Sequence, residues 1–299
     1  MKCGVIVINK EEGLTSQGVV SRVKRLLGEG KAGHTGTLDP MATGTLPILL
    51  GRGVKASEYM LCADKHYEAR LTLGVTTDTE DSTGKVLTRS DKIPSEQEVL
   101  AAVKGFVGKI MQVPPMYSAL KVGGKKLCDL AREGKEIERE AREVTVFSLD
   151  AKRISEREYD LFIHCSKGTY IRTLCADIGR ALGTGGIMSA LKRTSASVFT
   201  LSDGVTIGEL EAMSPEERER RIIPTEELFD RLGYLRKSVC GYPARLLRNG
   251  QTVLLKKLGI CANVGERVTV FDEQGFFAIG EITENEGDFY LKPIKQFDV

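Results

Sequence analysis

The chain has 299 residues, 41% hydrophobic and 28% charged, with a formal net charge of +2. That length allows one large domain with a small companion, and the composition is that of an ordinary globular protein rather than a disordered or fibrous one. No apolar run approaches the roughly 20 residues of a membrane span. Seven cysteines without a CxxC, and three scattered histidines, argue against a disulfide scaffold or a structural zinc site and for buried free thiols.

Residues 3–10, CGVIVINK, read as a buried strand. The run lacks the longer apolar region and small-residue cleavage site of a signal peptide, so a cytoplasmic protein is expected. Residues 16–28 place Val19, Val20, Val23, Leu26 and Leu27 on one helical face, with Ser16 as N-cap and Gly28 as stop. Next comes KAGHTGTLDPMATGTLP (31–47), a loop rich in Gly and Thr around a single carboxylate, Asp39. PILLG suggests a short strand and 54–63 a helix. Residues 66–74 alternate strictly, with Tyr67, Ala69, Leu71 and Leu73 on one face, which predicts a half-buried strand.

A polar turn follows, carrying Asp78, Glu80 and Asp81. Ser95 and Glu98 form the reciprocal pair of a capping box before a helix. Residues 121–142 combine seven bases, five acids and three glycines, as a mobile basic hairpin or helix would. Two alternating strands lie near 142–165, a helix spans 169–183, and GIMSALKRTSASVFT reads as a helix start and a strand. SPEERERR (214–221) marks surface. From about Tyr234 the texture changes to short strands with Gly and Asn turns, a β-rich domain of roughly 60 residues. The element order has no regular βαβ repeat, which predicts an α+β domain on a mixed, mostly antiparallel sheet.

The net charge hides its distribution. Residues 20–55 hold six bases against two acids, 167–193 five against one, and 204–232 four against eight. Two separated basic segments could converge on a polyanion, or they could simply solvate surface helices. The glycine-rich loop is neither GxxxxGK[ST] nor GxGxxG, so it is no standard phosphate cradle. Ordinary glycoside hydrolysis needs two carboxylates, and the loop offers one. A lone carboxylate suits a nucleophile or electrostatic stabiliser at a sugar C1′. It equally suits a turn acid before Pro40, bonded to backbone N–H groups.

Five blocks, in order over about residues 3–200, resemble the TruB family of tRNA pseudouridine synthases: AGHTGTLDPMATGTLP, YEARLTLGVTTDTEDSTG, PPMYSALKVGGKKLCDLAREG, IHCSKGTYIRTLCADIG and ALKRT. The resemblance implies a catalytic domain at 1–232, with an RNA-gripping insert at about 121–142, and a PUA-like RNA-binding domain at 233–299. It implies isomerisation of uridine 55 in the T-arm loop of tRNA, without cofactor or metal. Asp39 is then the nucleophile, Arg172 its partner, whose guanidinium fork would orient it and keep it ionised, and Tyr67 the ring against the base, with a hydroxyl for the C5 proton. Tyr170 and Leu191 line the same pocket, His34 supports the gap left by the flipped nucleotide, and Lys55 contacts phosphate. An acylal at C1′ and a glycal remain open as intermediates. No membrane and no obligate protein partner are expected, and the chain is expected to be a monomer. The competing readings are a non-catalytic RNA binder on the same scaffold and a synthase guided by a separate RNA with partner proteins. The presence of Asp39, Tyr67 and Arg172 together argues against the first, and the chain's own insert and compact C-terminal module argue against the second.

Overall fold

A computed structural model describes residues 3–118 and 120–297, with the side chains of Lys121, Lys126 and Cys128 outside the description. The centre is a ten-stranded sheet. Its main path runs Ile223–Pro224, Gly4–Lys10, Thr43–Leu50, Gly186–Ala196, Lys65–Leu73, Glu158–Cys165, Arg142–Arg153 and Gly108–Gln112. Every pairing in it is antiparallel except one: Thr43–Leu50 and Gly186–Ala196 run parallel, joined at Lys192↔Thr43 and Arg193↔Gly44. The mixed, mostly antiparallel sheet is as the sequence predicts.

The two halves of the sheet differ in how they are covered. In Gly4–Lys10 the side-chain period of two splits one apolar run between two cores. Ile6 and Ile8 enter the main core, while Val5 and Val7 enter a second core with Phe229, Ile279 and Phe297. Burying such a side chain stabilises by roughly 1.5–3 kcal/mol, so the unbroken VIVI run reflects a strand covered on both faces. Lys65–Leu73 buries only alternate residues and leaves His66 and Glu68 outside.

The second core joins the C-terminal part of the chain to the back of the large sheet. That part forms a separate five-stranded sheet from Leu235–Ser238 to Asp288–Gln296, with its own apolar cluster around Leu247, Val268, Val270 and Phe277. The Lys55 ammonium donates to the Gln296 carbonyl at 2.9 Å across this junction. Between the strands at 108–112 and 142–153 the insert is built as a small hairpin (Lys121–Val122 with Lys125–Lys126) and a helix, Leu127–Arg132, that buries Leu127 and Leu130. No helix among the described residues is long and apolar enough to cross a membrane.

Some local readings change. Residues 186–196 are strand throughout, with no helical start, because the run pairs with strands on both sides. Only 35–42 of the glycine-threonine stretch is loop, since Ala32–His34 and Thr43–Leu50 flank it as strands. Residues 51–61 form a 3₁₀ turn followed by a short helix. The helix 16–27 is capped by Thr15, whose hydroxyl accepts from the Gly18 N–H. Ser16 turns inward instead. Of the six described cysteines only Cys165 and Cys175 are buried; Cys3, Cys62, Cys240 and Cys261 are exposed.

Candidate active site

Asp39 sits in the loop that leaves the sheet where its one parallel pairing begins. The loop is tied down from several elements. The Ser16 hydroxyl accepts from the Leu38 N–H (2.8 Å) and donates to the Leu38 carbonyl (2.9 Å). The Gly13 N–H donates to the Pro40 carbonyl at 2.8 Å. Buried Lys10 donates to the carbonyls of Glu11, Pro40 and Ala42. Arg193, 1% exposed, donates to the Thr45 and Gly36 carbonyls at 2.8 and 3.1 Å. Gly44, at φ +103°, shows why this stretch needs glycine: a Cβ there would stand 2.2 Å from the Arg193 carbonyl oxygen. At this position the bare backbone admits the neighbouring strand.

The Asp39 side chain remains one-third exposed and faces a cavity of about 280 Å³. Tyr67, Tyr170, Arg172 and Leu191 line the same cavity, as do Lys65, Lys167 and Arg193. So four of the sequence-derived candidates meet Asp39 there. His34 lies just outside the lining, on the strand before the loop, its Nδ1 accepting from the Gly36 N–H at 3.4 Å. Burial, helped by Arg193, lowers its pKa and favours the neutral ring. Lys55 is not brought to the cavity; its ammonium is engaged at the domain junction described above.

Arg172 is not the fork on Asp39 that the sequence suggests. It is 6% exposed, and its donors are distributed. Nε stands 3.1 Å from Asp39 Oδ2 and Nη1 3.6 Å from Asp81 Oδ2. Nη1 also donates to the Thr79 carbonyl (3.2 Å) and Nη2 to the Tyr117 carbonyl (2.7 Å). A buried guanidinium needs such partners to offset its desolvation. Asp81 is the second carboxylate that the sequence could not require. It is 4% exposed and accepts from Thr79 Oγ1 (2.7 Å), Thr83 N (2.9 Å) and Thr83 Oγ1 (2.6 Å).

The electrostatic balance also departs from expectation. Arg172 pulls the Asp39 carboxyl down, but burial is the larger cause and Asp81 adds to it, so the Asp39 pKa is raised. Burial likewise lowers Lys10 to about 8, with Asp39 opposing, and raises the Tyr67 phenol, with Arg193 opposing. Sequence reasoning missed Lys10 and the Arg193 tether, and it named Asp81 only as one of three acids in a polar turn. The one available signal was a charged residue inside an otherwise apolar strand, at Lys10. Of the two basic segments, the second supplies Lys167, Arg172 and Arg193 to the cavity and the first supplies none among the described residues.

Chemically, the site offers an anionic oxygen held by one arginine, two phenolic rings and an apolar side chain, closed below by buried charge. Known proteins resemble the chain over nearly its whole length. The model of the TruB family pseudouridylate synthase N-terminal domain matches residues 24–171, and that of the tRNA pseudouridylate synthase B C-terminal domain matches residues 172–237. A tRNA pseudouridine synthase B of Alkaliphilus oremlandii is 41% identical over 297 residues, 98% of this chain and 97% of that one. One from Clostridium tetani is 40% identical, covering 94% and 96%, and one from Saccharophagus degradans 43%, covering 94% and 92%. Among solved structures, a chain of a Cbf5–Nop10–Gar1 complex superimposes with a TM-score of 0.71 at 25% identity, covering 98% of this chain and 84% of that one.

Proposed function

Because this chain belongs to the TruB family of pseudouridylate synthases, we propose that it converts uridine 55 in the T-arm loop of tRNA to pseudouridine, with Asp39 as the nucleophile. The reaction breaks the N1–C1′ bond, turns the uracil in the site and joins C5 to C1′. The C5 proton is lost and N1 gains one, so atoms balance without a co-reactant. Asp39 attacks the sugar or assists elimination at it. Tyr67 packs against the flipped base and takes part in removing the C5 proton, Tyr170 and Leu191 complete the pocket, and His34 supports the vacated stack. Flipping costs a few kcal/mol, offset by phosphate contacts and by a filled gap. The insert at 121–142 supplies such contacts, and residues 233–299 act as a PUA-like RNA-binding domain beside a catalytic domain at 1–232.

The observation that carries this reading is the Asp39 carboxylate, 3.1 Å from the Arg172 guanidinium, opening on a cavity also lined by Tyr67, Tyr170 and Leu191. A pure RNA binder has no use for a desolvated carboxylate paired in that way. The similarity to a chain crystallised with Nop10 and Gar1 raises a guided, multi-protein reading. The relatives named tRNA pseudouridine synthase B, matched over nearly their full length, favour the stand-alone one. Incubating the purified protein alone with an unmodified tRNA transcript and mapping pseudouridine by chemical sequencing tests both. Modification at position 55 is expected. Modification elsewhere, or only after a guide RNA and partner proteins are added, would overturn the proposal.

A further inference from the structure

The strand Gly108–Gln112 ends in a side chain with no part in the chemistry above. Gln112 is 1% exposed and does not line the cavity. Its carboxamide forms a closed pair with one peptide unit of the site. The Tyr170 N–H donates to Gln112 Oε1 at 3.0 Å, and Gln112 Nε2 donates to the Tyr170 carbonyl at 3.3 Å. The amide orientation is fixed by its partners, because a peptide N–H only donates and a peptide C=O only accepts.

Tyr170 is the N-cap of the helix Ile171–Ala181, with extended backbone (φ −96°, ψ 111°) and no side-chain cap bond. Its carbonyl also accepts the first helical bond, from the Leu174 N–H at 3.0 Å. The Gln112 pair therefore holds the residue at which an irregular loop becomes the helix that carries Arg172 two positions later. We propose that Gln112 is a positioning residue for the isomerisation: it sets the Tyr170 peptide, and through it the Tyr170 ring and the Arg172 guanidinium against Asp39. The inference rests on the functional reading above. A carboxamide brings one donor and one acceptor in a single plane to match both peptide groups at any pH. A methionine of similar length fills the space and forms neither bond. A glutamate forms both bonds only while protonated.

The test measures single-turnover pseudouridine formation and tRNA affinity for wild type, Gln112→Met and Gln112→Glu. Losing two hydrogen bonds, and with them a displacement of up to an ångström in the site, predicts a rate about 10- to 100-fold lower for Gln112→Met, with tRNA affinity within about threefold of wild type. The ratio of the Gln112→Glu rate to the wild-type rate rises as pH falls from 8 to 6, because burial raises the glutamic acid and its neutral form restores both bonds. Taking the ratio cancels the titration of Asp39. If Gln112→Met fails to fold, the pH dependence of that ratio decides alone. The proposal is overturned by a Gln112→Met rate within twofold of wild type, by affinity falling as far as rate, or by a ratio flat in pH. Wild-type activity on the same transcript keeps this failure separate from failure of the functional reading.

Discussion

Charged groups behave oppositely in the floor of the cavity and in the C-terminal sheet. In the C-terminal sheet, partners shift each other toward the charged forms. Hydrogen bonds from Arg248 lower Asp272, and Asp272 raises Arg248; Arg267 is also raised. In and around the cavity burial dominates, and the shifts run toward the neutral forms at the lining residues Asp39, Lys65 and Tyr67 and at Lys10 and His34 behind them. Ion pairs of the first kind hold a fold together. Charges of the second kind oppose folding and persist where packing forces them, which is where chemistry needs them.

The comparison breaks most sharply at Asp39. Asp39→Asn is expected to reduce pseudouridine formation by more than about a thousandfold while tRNA affinity stays within a few-fold, since an amide is not an anionic nucleophile. Its stability should move the other way. A carboxyl raised in the folded state is destabilising once pH climbs past its ordinary range near 3.8, so the Asn variant should melt at the same or a higher temperature at pH 7. Substantial turnover by a pure Asn variant, or a large drop in Tm, would end the argument for a strained catalytic carboxylate.

Tyr67→Phe keeps the ring and removes the hydroxyl. A general acid–base role predicts a single-turnover rate about 10²–10⁴-fold lower with normal RNA binding. An unchanged rate would leave Tyr67 as core packing. Asp81→Asn keeps shape and removes the second anion beside Arg172. The expected loss is about 10- to 100-fold in rate, from a guanidinium less firmly held toward Asp39. A wild-type rate would mean that Arg172 is fixed by the Thr79 and Tyr117 carbonyls alone.

Two further substitutions read the comparison as stability against pH. Lys10 titrates near 8 in the folded chain against 10.5 when unfolded. The unfolded state thus binds more protons between those values, and wild-type stability rises with pH across that window. Lys10→Met should lack the rise, and it should also lower Tm at pH 7 by releasing three loop carbonyls. Asp272 is lowered by Arg248, so its contribution is present above about pH 4 and fades as pH falls further. Asp272→Asn should flatten that acid limb, at a loss of about 1–2 kcal/mol at pH 7, because Arg248 remains partly in water. Its activity on an isolated T-arm hairpin should not change. Denaturant melts of both variants from pH 3 to 10 check the two slopes, which share a sign and lie in separate windows, one acid and one alkaline.

How much of this was legible in the sequence follows from distance along the chain. Period-two and helical patterns are local, so the strand at 65–73 and the capping box at Ser95 were readable, as was the change of texture near Tyr234. The lone acid in the 31–47 stretch drew attention to Asp39, but its composition suited a turn acid before Pro40 equally well, and only the resemblance to the TruB family made it the expected nucleophile. Tertiary structure decided what depended on partners far away. Residues 186–196 became strand because strands on both sides offered hydrogen bonds, overriding local preference. Ser16 turned from cap to tether because Leu38 lay within reach and Thr15 could cap instead. Lys55 looked like a phosphate contact from its place beside the loop, but packing carried it to the domain junction. Arg172 was expected to keep Asp39 ionised, an effect that pulls its pKa down. Burial and the approach of Asp81 reversed the direction, and neither is a property of residues 31–47. A sequence can state which groups are chargeable; how much water and which counter-charge each one keeps is set by the three-dimensional packing.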